Sequence, residues 1–326
     1  MTKNIGVLTS GGDSSGMNAT IRAVVRTGIY HGCKVFGIHK GFDGLISNNI
    51  TEMTVGSVGG IICQGGTILQ TARSKRFMEY EGRKEAFENL KKHEIDSLIV
   101  IGGDGSFHGL HELIREFGIQ GIGLPGTIDN DLYGTEFTIG FDTAVNTALE
   151  AINKIRDTAS SHSRIFIVEV MGRHAGYIAI YSAIASGAEE VFIPETNEDI
   201  QAVCDRIQKG QDRGKLSSII VVAEGDEMGG AFAVRDRMIK INGHWDIRVS
   251  ILGHIQRGGA PSAIDSLIGS RLGYESVLAV LNNKTDIMVG YMGLDNDVSN
   301  VPLKETWEKR KIIRDDWKKM ASVLAI

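Results

Sequence analysis

The chain has 326 residues, 42% hydrophobic and 23% charged, which suits one large two-lobed α/β protein or two closely joined domains. A formal net charge of −5 argues against nucleic acid or an anionic membrane as the main partner, although clustered arginines could still hold an anionic metabolite. The 3 cysteines are far apart and the N-terminus lacks a signal-peptide pattern, so we expect a cytoplasmic protein without disulfides or membrane spans.

Short apolar runs alternate with amphipathic stretches, which predicts parallel sheets with helices on both faces. The runs predicted as buried strands are 5–8, 35–38, 98–101, 122–124, 165–170, 191–193, 219–223 and 249–252. The clearest helices are predicted over 17–30 and 141–160. The expected fold is α/β, with two similar lobes that each form a Rossmann-like three-layer sandwich around a mostly parallel sheet.

A weak internal repeat also suggests two lobes of similar build. A strand leads into Gly12-x-x-x-Gly16 and a helix, and a later strand leads into Gly172-x-x-x-Gly176 and a helix. Parallel sheets bind ligands beyond the carboxyl ends of their strands, and we expect the distinctive motifs of this chain to lie there.

Two glycine-rich loops are candidate phosphate sites. In residues 9–16, glycines before a helix allow backbone N–H groups to approach a phosphate, although a tight turn with a helix cap is the alternative. In residues 102–106, Asp104 is the only carboxylate of what we expect to be an open loop. A lone carboxylate beside phosphates suits Mg²⁺, and the alternative is a helix cap.

The run 125–131 carries two carboxylates, Asp129 and Asp131, with Thr127 before them. One carboxylate can take a proton from an attacking hydroxyl while the other orients it. A turn rich in Asn and Asp is the alternative.

Phosphoryl transfer also needs cations positioned at the phosphate oxygens, and arginine forks suit them. Five arginines lie near strand ends or glycine-rich turns: Arg73, Arg164, Arg173, Arg248 and Arg257. Each alone is more simply a surface residue, so the prediction depends on their shared placement. His254 lies three residues before Arg257, which a double glycine follows. This arrangement suggests that His254 and Arg257 bind a phosphate, with a structural histidine as the alternative.

At these motifs the chain resembles bacterial 6-phosphofructokinases. The resemblance runs from about residue 3 to 273, on the motifs at 8–13, 16–19, 102–106, 125–131, 171–173 and 253–259. It implies transfer of the ATP γ-phosphoryl group to the 1-hydroxyl of fructose 6-phosphate by a homotetramer. It also implies an ATP-binding lobe of residues 1–140 plus about 257–305, and a sugar-phosphate lobe of 141–256 plus about 306–326.

The resemblance implies that Asp129 is the general base, that Asp104 binds Mg²⁺, and that Arg164 and Arg248 reach in from a neighbouring subunit. The residues implied to hold the transferring group are Gly12, Arg73, Thr127 and Arg164. The implied ATP site is Gly12, Arg73, Ser74, Gly103, Asp104, Gly105 and Ser106. The implied sugar-phosphate site is Thr127, Ile128, Asp129, Arg164, Met171, Gly172, Arg173, Glu224, Arg248, His254, Ile255, Gln256 and Arg257.

The donor is expected to be ATP, because relatives that use pyrophosphate carry Asp and Lys at the positions of Gly105 and Gly126. A pyrophosphate-dependent kinase is the near alternative. NAD kinases and lipid kinases share a Gly-Gly-Asp-Gly loop but lack the motifs around Arg173 and His254. A non-catalytic nucleotide sensor would be expected to have lost Asp129, and a dehydrogenase would need the Gly-x-Gly-x-x-Gly fingerprint.

The resemblance further implies an effector site for ADP or GDP as activator and phosphoenolpyruvate as inhibitor. Its residues here would be Arg22, Arg26, Arg156, Gly187, Glu189, Arg213 and Lys215. Solvated surface charges are the alternative. Val55 stands where many relatives have an effector-binding arginine, so we expect weaker or altered control. Ser14, Ser15, Ser74, Met78 and Tyr177 are further departures from the family pattern.

Overall fold

The computed structural model describes residues 3–161, 164–293 and 297–325. The chain divides into two compact units, each assembled from separate stretches of sequence. The first unit comprises the chain through Ile128, Leu132–Thr143 and Arg257–Lys311. The second comprises Asp129–Asp131, Ala144–Gln256 and the chain from Ile312 on. Whether these units bind ATP and sugar phosphate, as the predicted lobes would, stays a prediction.

Strands and helices alternate along the described residues, as the sequence pattern predicts. The strands are β1 (Asn4–Thr9), β2 (Lys34–Ile38), β3 (Ile50–Met53), β4 (Ser97–Gly102), β5 (Gln120–Pro125), β6 (Ile165–Val170), β7 (Glu190–Phe192), β8 (Ser218–Ala223), β9 (Ile247–Ile251), β10 (Ile287–Tyr291) and β11 (Val298–Pro302). The helices are α1 (Met17–Tyr30), α2 (Gly41–Ile46), α3 (Tyr80–Lys92), α4 (Asp104–Phe117), α5 (Phe141–Ser160), α6 (Tyr177–Ser186), α7 (Ile200–Asp212), α8 (Gly230–Ile241), α9 (Ala263–Leu281), α10 (Glu305–Glu308) and α11 (Asp315–Leu324). Short 3-10 helices cover Gly56–Val58, Arg76–Met78 and Gly253–Arg257.

The first unit contains a seven-stranded sheet in the order β11-β10-β5-β4-β1-β2-β3. Its five central strands pair in parallel, and the edge strands β3 and β11 are antiparallel to their neighbours. The four strands predicted in this part of the chain are confirmed, whereas β3, β10 and β11 were not predicted.

Alternate side chains of β4 enter two different cores, because successive residues of a strand point to opposite faces. Ile99 and Ile101 pack in a cluster with apolar residues of α1 and α9. Leu98 and Val100 pack in another cluster with residues of α2, α3 and α4. Helices therefore cover both faces of this sheet, which confirms the predicted three-layer arrangement.

The second unit contains a four-stranded parallel sheet in the order β7-β8-β6-β9. Ile165 and Ile167 of β6 pack with apolar side chains of α7 and α8 on one face, and α6 contacts β8. The prediction of a fully buried strand at 249–252 is wrong. Strand β9 pairs only with β6 among the described strands, and its residues after Ile247 are half-buried or exposed. No helix in the described ranges is long and apolar enough to cross a membrane.

Candidate active site

The loop between β1 and α1 has the backbone geometry of an anion site. Gly11 (φ +88°) and Gly16 (φ +110°) lie in the left-handed region that favours glycine. Helix α1 begins after Gly16, which provides no side-chain cap, and its first turn contains no acidic residue. The positive end of the helix dipole is therefore not offset there, which favours a bound phosphate.

Arg257 lies against this loop in the first unit. Its Nη1 donates a hydrogen bond to the carbonyl of Asp13 at 3.1 Å. A Cβ on Gly12 would lie 2.4 Å from the same Nη1, so a larger residue at that position would displace the guanidinium from the loop. The hydroxyl of Ser15 donates to the carbonyl of Gly259 at 2.8 Å, which holds the segment after Arg257 against the same loop. Arg257, assigned from the sequence to the sugar phosphate, thus contacts the predicted nucleotide loop.

The sequence suggested that the second glycine-rich run is an open loop, and this expectation is wrong. Helix α4 begins at Asp104, with Gly103 in the capping position, so Asp104 belongs to the first helical turn. Gly102 packs against the first loop, because a Cβ there would lie 2.6 Å from the carbonyl of Ser10. Glycine is favoured here by packing as well as by ligand access, and the buried Ser106 completes the turn.

The carboxylate of Asp104 is exposed at the start of α4. Among the described residues, no group of three or more His, Cys, Asp or Glu side chains could hold a metal ion by itself. Mg²⁺ commonly takes one or two protein carboxylates and fills its other positions with water and substrate phosphates. Asp104 therefore fits a magnesium ion that arrives with a nucleotide, and does not fit a fully protein-bound metal.

The first unit brings further predicted residues beside these loops. The Cβ of Thr127 lies 4.0 Å from where a Cβ on Gly103 would be. The hydroxyl of Thr71 donates to the carbonyl of Gly11 at 2.8 Å, which anchors the segment that carries the exposed Arg73.

Ser74 has a structural role that the sequence did not indicate. Its hydroxyl donates to the Asp43 carboxylate at 3.1 Å and accepts from the backbone N–H of Phe77 at 3.3 Å. These bonds hold the start of the short helix that ends at Met78, whose side chain is 77% exposed.

Asp129, in the second unit, is a buried carboxylate beside an arginine. It is 2% exposed, and its Oδ2 lies 3.7 Å from Nε of Arg173. Arg173 has a φ of +52°, and its backbone N–H donates to Oε1 of Glu224 at 2.8 Å. A Cβ on Gly225 would lie 1.7 Å from the carbonyl of Arg173, so glycine is required there.

These contacts place two predicted groups together at the carboxyl ends of β6 and β8. The first group is Met171, Gly172 and Arg173, and the second is Glu224. The motif after β9 forms a 3-10 helix in which His254 and Ile255 are exposed. Gln256 is 1% exposed and its Nε2 donates to the carbonyl of Gly253 at 3.1 Å, so its side chain closes the turn.

Two predicted site residues lie elsewhere on the second sheet. Arg164 immediately precedes β6, and Arg248 is the second residue of β9. Arg173 follows the other end of β6, whose six residues span about 20 Å. The expectation that every distinctive motif lies at the carboxyl ends is therefore wrong for Arg164 and Arg248, which lie near the amino ends.

Two aspartates that no sequence motif indicated make contacts that hold other parts of the chain. One pairs with predicted site arginines, and the other binds backbone N–H groups. Asp246 pairs with both Arg164 and Arg248. Asp265 is fully buried and accepts hydrogen bonds from the backbone N–H groups of Gly140 and Thr143 at 2.8 and 2.7 Å. The contacts join residues more than 80 positions apart, except for the local pair with Arg248.

Tyr177, at the start of α6, is 6% exposed. Burial raises the pKa of its hydroxyl, and the nearby carboxylate of Glu195 adds to the rise. Burial also raises the pKa of Glu195, whose Oε1 accepts from the backbone N–H of Gly176 at 2.9 Å. The tyrosine is therefore a neutral, largely buried group in the second unit.

The predicted effector residues are divided between the two units. In the second unit, Glu189 Oε1 lies 2.8 Å from Nζ of Lys215 and 3.9 Å from Nη1 of Arg156. Arg156 also donates to the carbonyl of Gly187 at 3.2 Å, and Arg213 is exposed at the end of α7. In the first unit, Arg22 and Arg26 lie on α1, and Val55 is 46% exposed.

Comparison with known proteins gives one consistent family. The Phosphofructokinase family profile matches residues 4–280. The ATP-dependent 6-phosphofructokinase of Halalkalibacterium halodurans is 51% identical over 324 residues, which cover 99% of this chain and 100% of that protein. A protein of the same description from Bacillus pumilus is 50% identical over 324 residues, with the same coverage.

The solved structures agree. The phosphofructokinase from Saccharomyces cerevisiae superposes with a TM-score of 0.88 at 37% identity over 100% of this chain. This chain spans about half of that yeast chain, 48% of its length.

Proposed function

This chain belongs to the phosphofructokinase family, and from that membership we propose that it transfers the γ-phosphoryl group of ATP to the 1-hydroxyl of fructose 6-phosphate. The products are ADP and fructose 1,6-bisphosphate, and the reaction is the committed step of glycolysis. The observation that carries the proposal is 51% identity over 99% of this chain and 100% of a relative described as an ATP-dependent 6-phosphofructokinase.

The surroundings of Gly105 support ATP rather than pyrophosphate as the donor. Apart from its chain neighbours and the backbone of α4, a Cβ at Gly105 would meet no described atom within 4 Å, so protein packing does not require glycine there. The open space is available to a nucleotide, which an acidic side chain would crowd and repel. A pyrophosphate-dependent phosphofructokinase remains the alternative, and the names of both bacterial relatives favour ATP.

In the proposed mechanism, Asp129 accepts the proton of the sugar 1-hydroxyl as that oxygen attacks the γ-phosphorus and the bond to ADP breaks. The carboxylate is 2% exposed, which keeps competing water away from it. Positioned general bases typically contribute about 10²- to 10⁴-fold in rate. Asp131 is the supporting carboxylate of the same run.

The groups assigned to the moving phosphoryl are the backbone N–H of Gly12, the hydroxyl of Thr127 and the guanidinium of Arg73. They stabilise the charge that develops on the phosphoryl oxygens during transfer. Asp104 would hold Mg²⁺, which when bound neutralises charge on the ATP phosphates.

The sugar phosphate is assigned to residues at the carboxyl ends of the second sheet, with two arginines from a neighbouring subunit. Met171, Gly172, Arg173, Glu224, His254 and Ile255 form the first set. Arg164 lies at the amino end of β6, about 20 Å along that strand from the first set, and Arg248 lies near the amino end of β9, which supports their assignment to another subunit's site. The proposed assembly is a homotetramer.

The cluster of Arg156, Gly187, Glu189 and Lys215 supports an effector site for nucleotides or phosphoenolpyruvate. Arg22, Arg26 and Arg213 are assigned to the same site. A non-catalytic nucleotide sensor is the second candidate function, and the retention of Asp129 and Arg73 opposes it.

A D129S variant tests the proposed base. We expect kcat with ATP to fall by about 10²- to 10⁴-fold, with little change in KM for fructose 6-phosphate, because the hydroxyl would lose its proton acceptor. The matched control is D236S, which removes an exposed aspartate paired with Arg235 in the second unit. An undiminished rate in D129S would remove Asp129 from the mechanism.

A further inference from the structure

Asp246 bridges the two arginines assigned to the sugar phosphate. Its Oδ2 accepts a hydrogen bond from Nε of Arg164 at 2.7 Å. Its Oδ1 lies 2.8 Å from Nε of Arg248, and its Oδ2 accepts from Nη2 of Arg248 at 3.3 Å. The carboxylate therefore holds one guanidinium at its Nε and the other through a two-point contact.

The backbone fixes this arrangement at adjacent register positions. The N–H of Ile165 donates to the carbonyl of Asp246 at 3.1 Å, and β6 pairs in parallel with β9 from that point. Arg164, just before β6, and Arg248 of β9 thus lie beside the aspartate at the paired amino ends of the two strands. Hydrogen bonds from Arg164, followed by those from Arg248, lower the pKa of Asp246, so the carboxylate is ionised at neutral pH.

The contact leaves most of the arginine donors available. A guanidinium has five N–H donors, and Arg164 uses the one on Nε for Asp246. The side chains of Arg164 and Arg248 are 27% and 56% exposed, so their remaining N–H groups can reach an external anion. One carboxylate between two guanidiniums also leaves a net charge of +1.

We propose that Asp246 is a positioning residue that presents Arg164 and Arg248 as a preorganised pair to the phosphate of the sugar substrate. The proposal rests on the proposed function, which assigns the two arginines to that phosphate. Without the carboxylate, the two cations repel each other and their long side chains sample more rotamers. Binding then has to order both side chains, which weakens affinity.

A simple charge argument predicts the opposite effect. Removing a negative charge near a bound phosphate would tighten binding. At exposed positions this repulsion between the Asp246 carboxylate and the phosphate is screened by salt, whereas the cost of ordering two arginine side chains is not. The direction of the change in KM therefore distinguishes positioning from net charge.

The test compares D246N, D246E and D236N in the full-length enzyme. We expect D246N to raise KM for fructose 6-phosphate by about 5- to 100-fold, with kcat changed by less than about twofold, because ordering is lost before the chemical step. D246E should recover part of the loss. D236N, which removes an exposed aspartate paired with Arg235, should leave KM unchanged. An unchanged or lower KM in D246N overturns the proposal.

A second background separates this proposal from the proposed function. If Asp246 acts through the arginines, D246N has no further effect on KM in an R164K/R248K enzyme. A further rise there overturns positioning and leaves the arginine assignment intact. If R164K/R248K itself leaves KM unchanged, the assignment fails, and the proposal fails with it. Size-exclusion chromatography completes the test, since loss of assembly in D246N but not in R164K/R248K would also overturn the proposal.

Discussion

The two glycines expected from the sequence to distinguish ATP from pyrophosphate, Gly105 and Gly126, differ in what surrounds them. A Cβ at Gly126 would lie 2.8 Å from Cγ2 of Ile101 and 3.0 Å from Cε of Met17, both core atoms of the first unit. Apart from its chain neighbours and the backbone of α4, a Cβ at Gly105 would meet no described atom within 4 Å. Packing therefore explains Gly126, and we expect Gly105 to be the position where glycine matters for the donor.

This difference predicts opposite phenotypes for two single substitutions. G105D should raise KM for ATP while the free energy of unfolding stays within about 0.5 kcal/mol, because the position is an exposed first turn of α4. G126A should lower the free energy of unfolding by about 1–3 kcal/mol through overpacking. Steady-state kinetics and denaturant titration check the pair. A large loss of stability in G105D would contradict the assignment of its open space to the nucleotide.

At the residue scale, sequence reasoning identified glycines and carboxylates in short motifs because their chemistry is local. The sequence marked the run 102–106 as a candidate phosphate site. The expected open loop there is wrong, because Asp104 is the first residue of α4. The contact of Arg257 with Asp13 joins residues 244 positions apart. Folding alone creates such contacts, so no local pattern could have revealed them.

At the scale of elements, the two strand-loop-helix units that the internal repeat suggested are present. Gly16 caps α1 after β1, and Gly176 caps α6 after β6. The predicted helices 17–30 and 141–160 have the observed bounds of α1 and α5. Strands β3 and β11 escaped prediction because they are short, half-exposed edge strands whose conformation depends on pairing with a neighbour.

Asp265 joins the starts of two helices in the first unit. It accepts hydrogen bonds from the backbone N–H groups of Gly140 and Thr143, next to the start of α5, and lies in the first turn of α9. Burial raises the pKa of its carboxyl to about 6, and the bonds from Thr143 and Gly140 limit the rise. The folded chain therefore binds this proton more tightly than the unfolded chain, whose pKa is about 3.9.

The sign of the pH dependence follows from that difference. As pH rises from about 4 to 6, Asp265 should remove about 3 kcal/mol from the free energy of unfolding, and the loss should be complete above that range. D265N lacks this titration. We expect the stability difference between wild type and D265N to change over this window in denaturant titrations at several pH values. A difference that is constant with pH would contradict the raised pKa.

At the scale of the whole molecule, the two units carry complementary parts of the proposed chemistry. The first carries Gly12, Asp104 and Thr127, and the second carries Asp129 and Arg173. Arg164 lies near the amino end of β6, and under the proposed function it serves the sugar site of a neighbouring subunit. The family resemblance implied this role for Arg164. The pattern of apolar strand residues could not, because it does not show which subunit's site a side chain reaches.

The proposed control by effectors would belong to the assembled enzyme. We expect weak inhibition by phosphoenolpyruvate, because Val55 offers no charge-assisted hydrogen bond to its phosphate. V55R should lower the inhibitory concentration by about tenfold or more, since such a bond contributes about 1.5–3 kcal/mol. Val55 is 46% exposed, so the substitution should not disturb the core. Strong inhibition of the wild type, unaffected by V55R, would contradict this account of the effector site.

The most direct test of the account is the donor requirement of the purified enzyme. Fructose 6-phosphate is supplied with Mg²⁺ and either ATP or pyrophosphate, and fructose 1,6-bisphosphate is measured directly. The account predicts that ATP sustains turnover with one ADP formed per sugar bisphosphate, and that pyrophosphate does not. Turnover sustained by pyrophosphate but not by ATP, or no product with either donor, would contradict it.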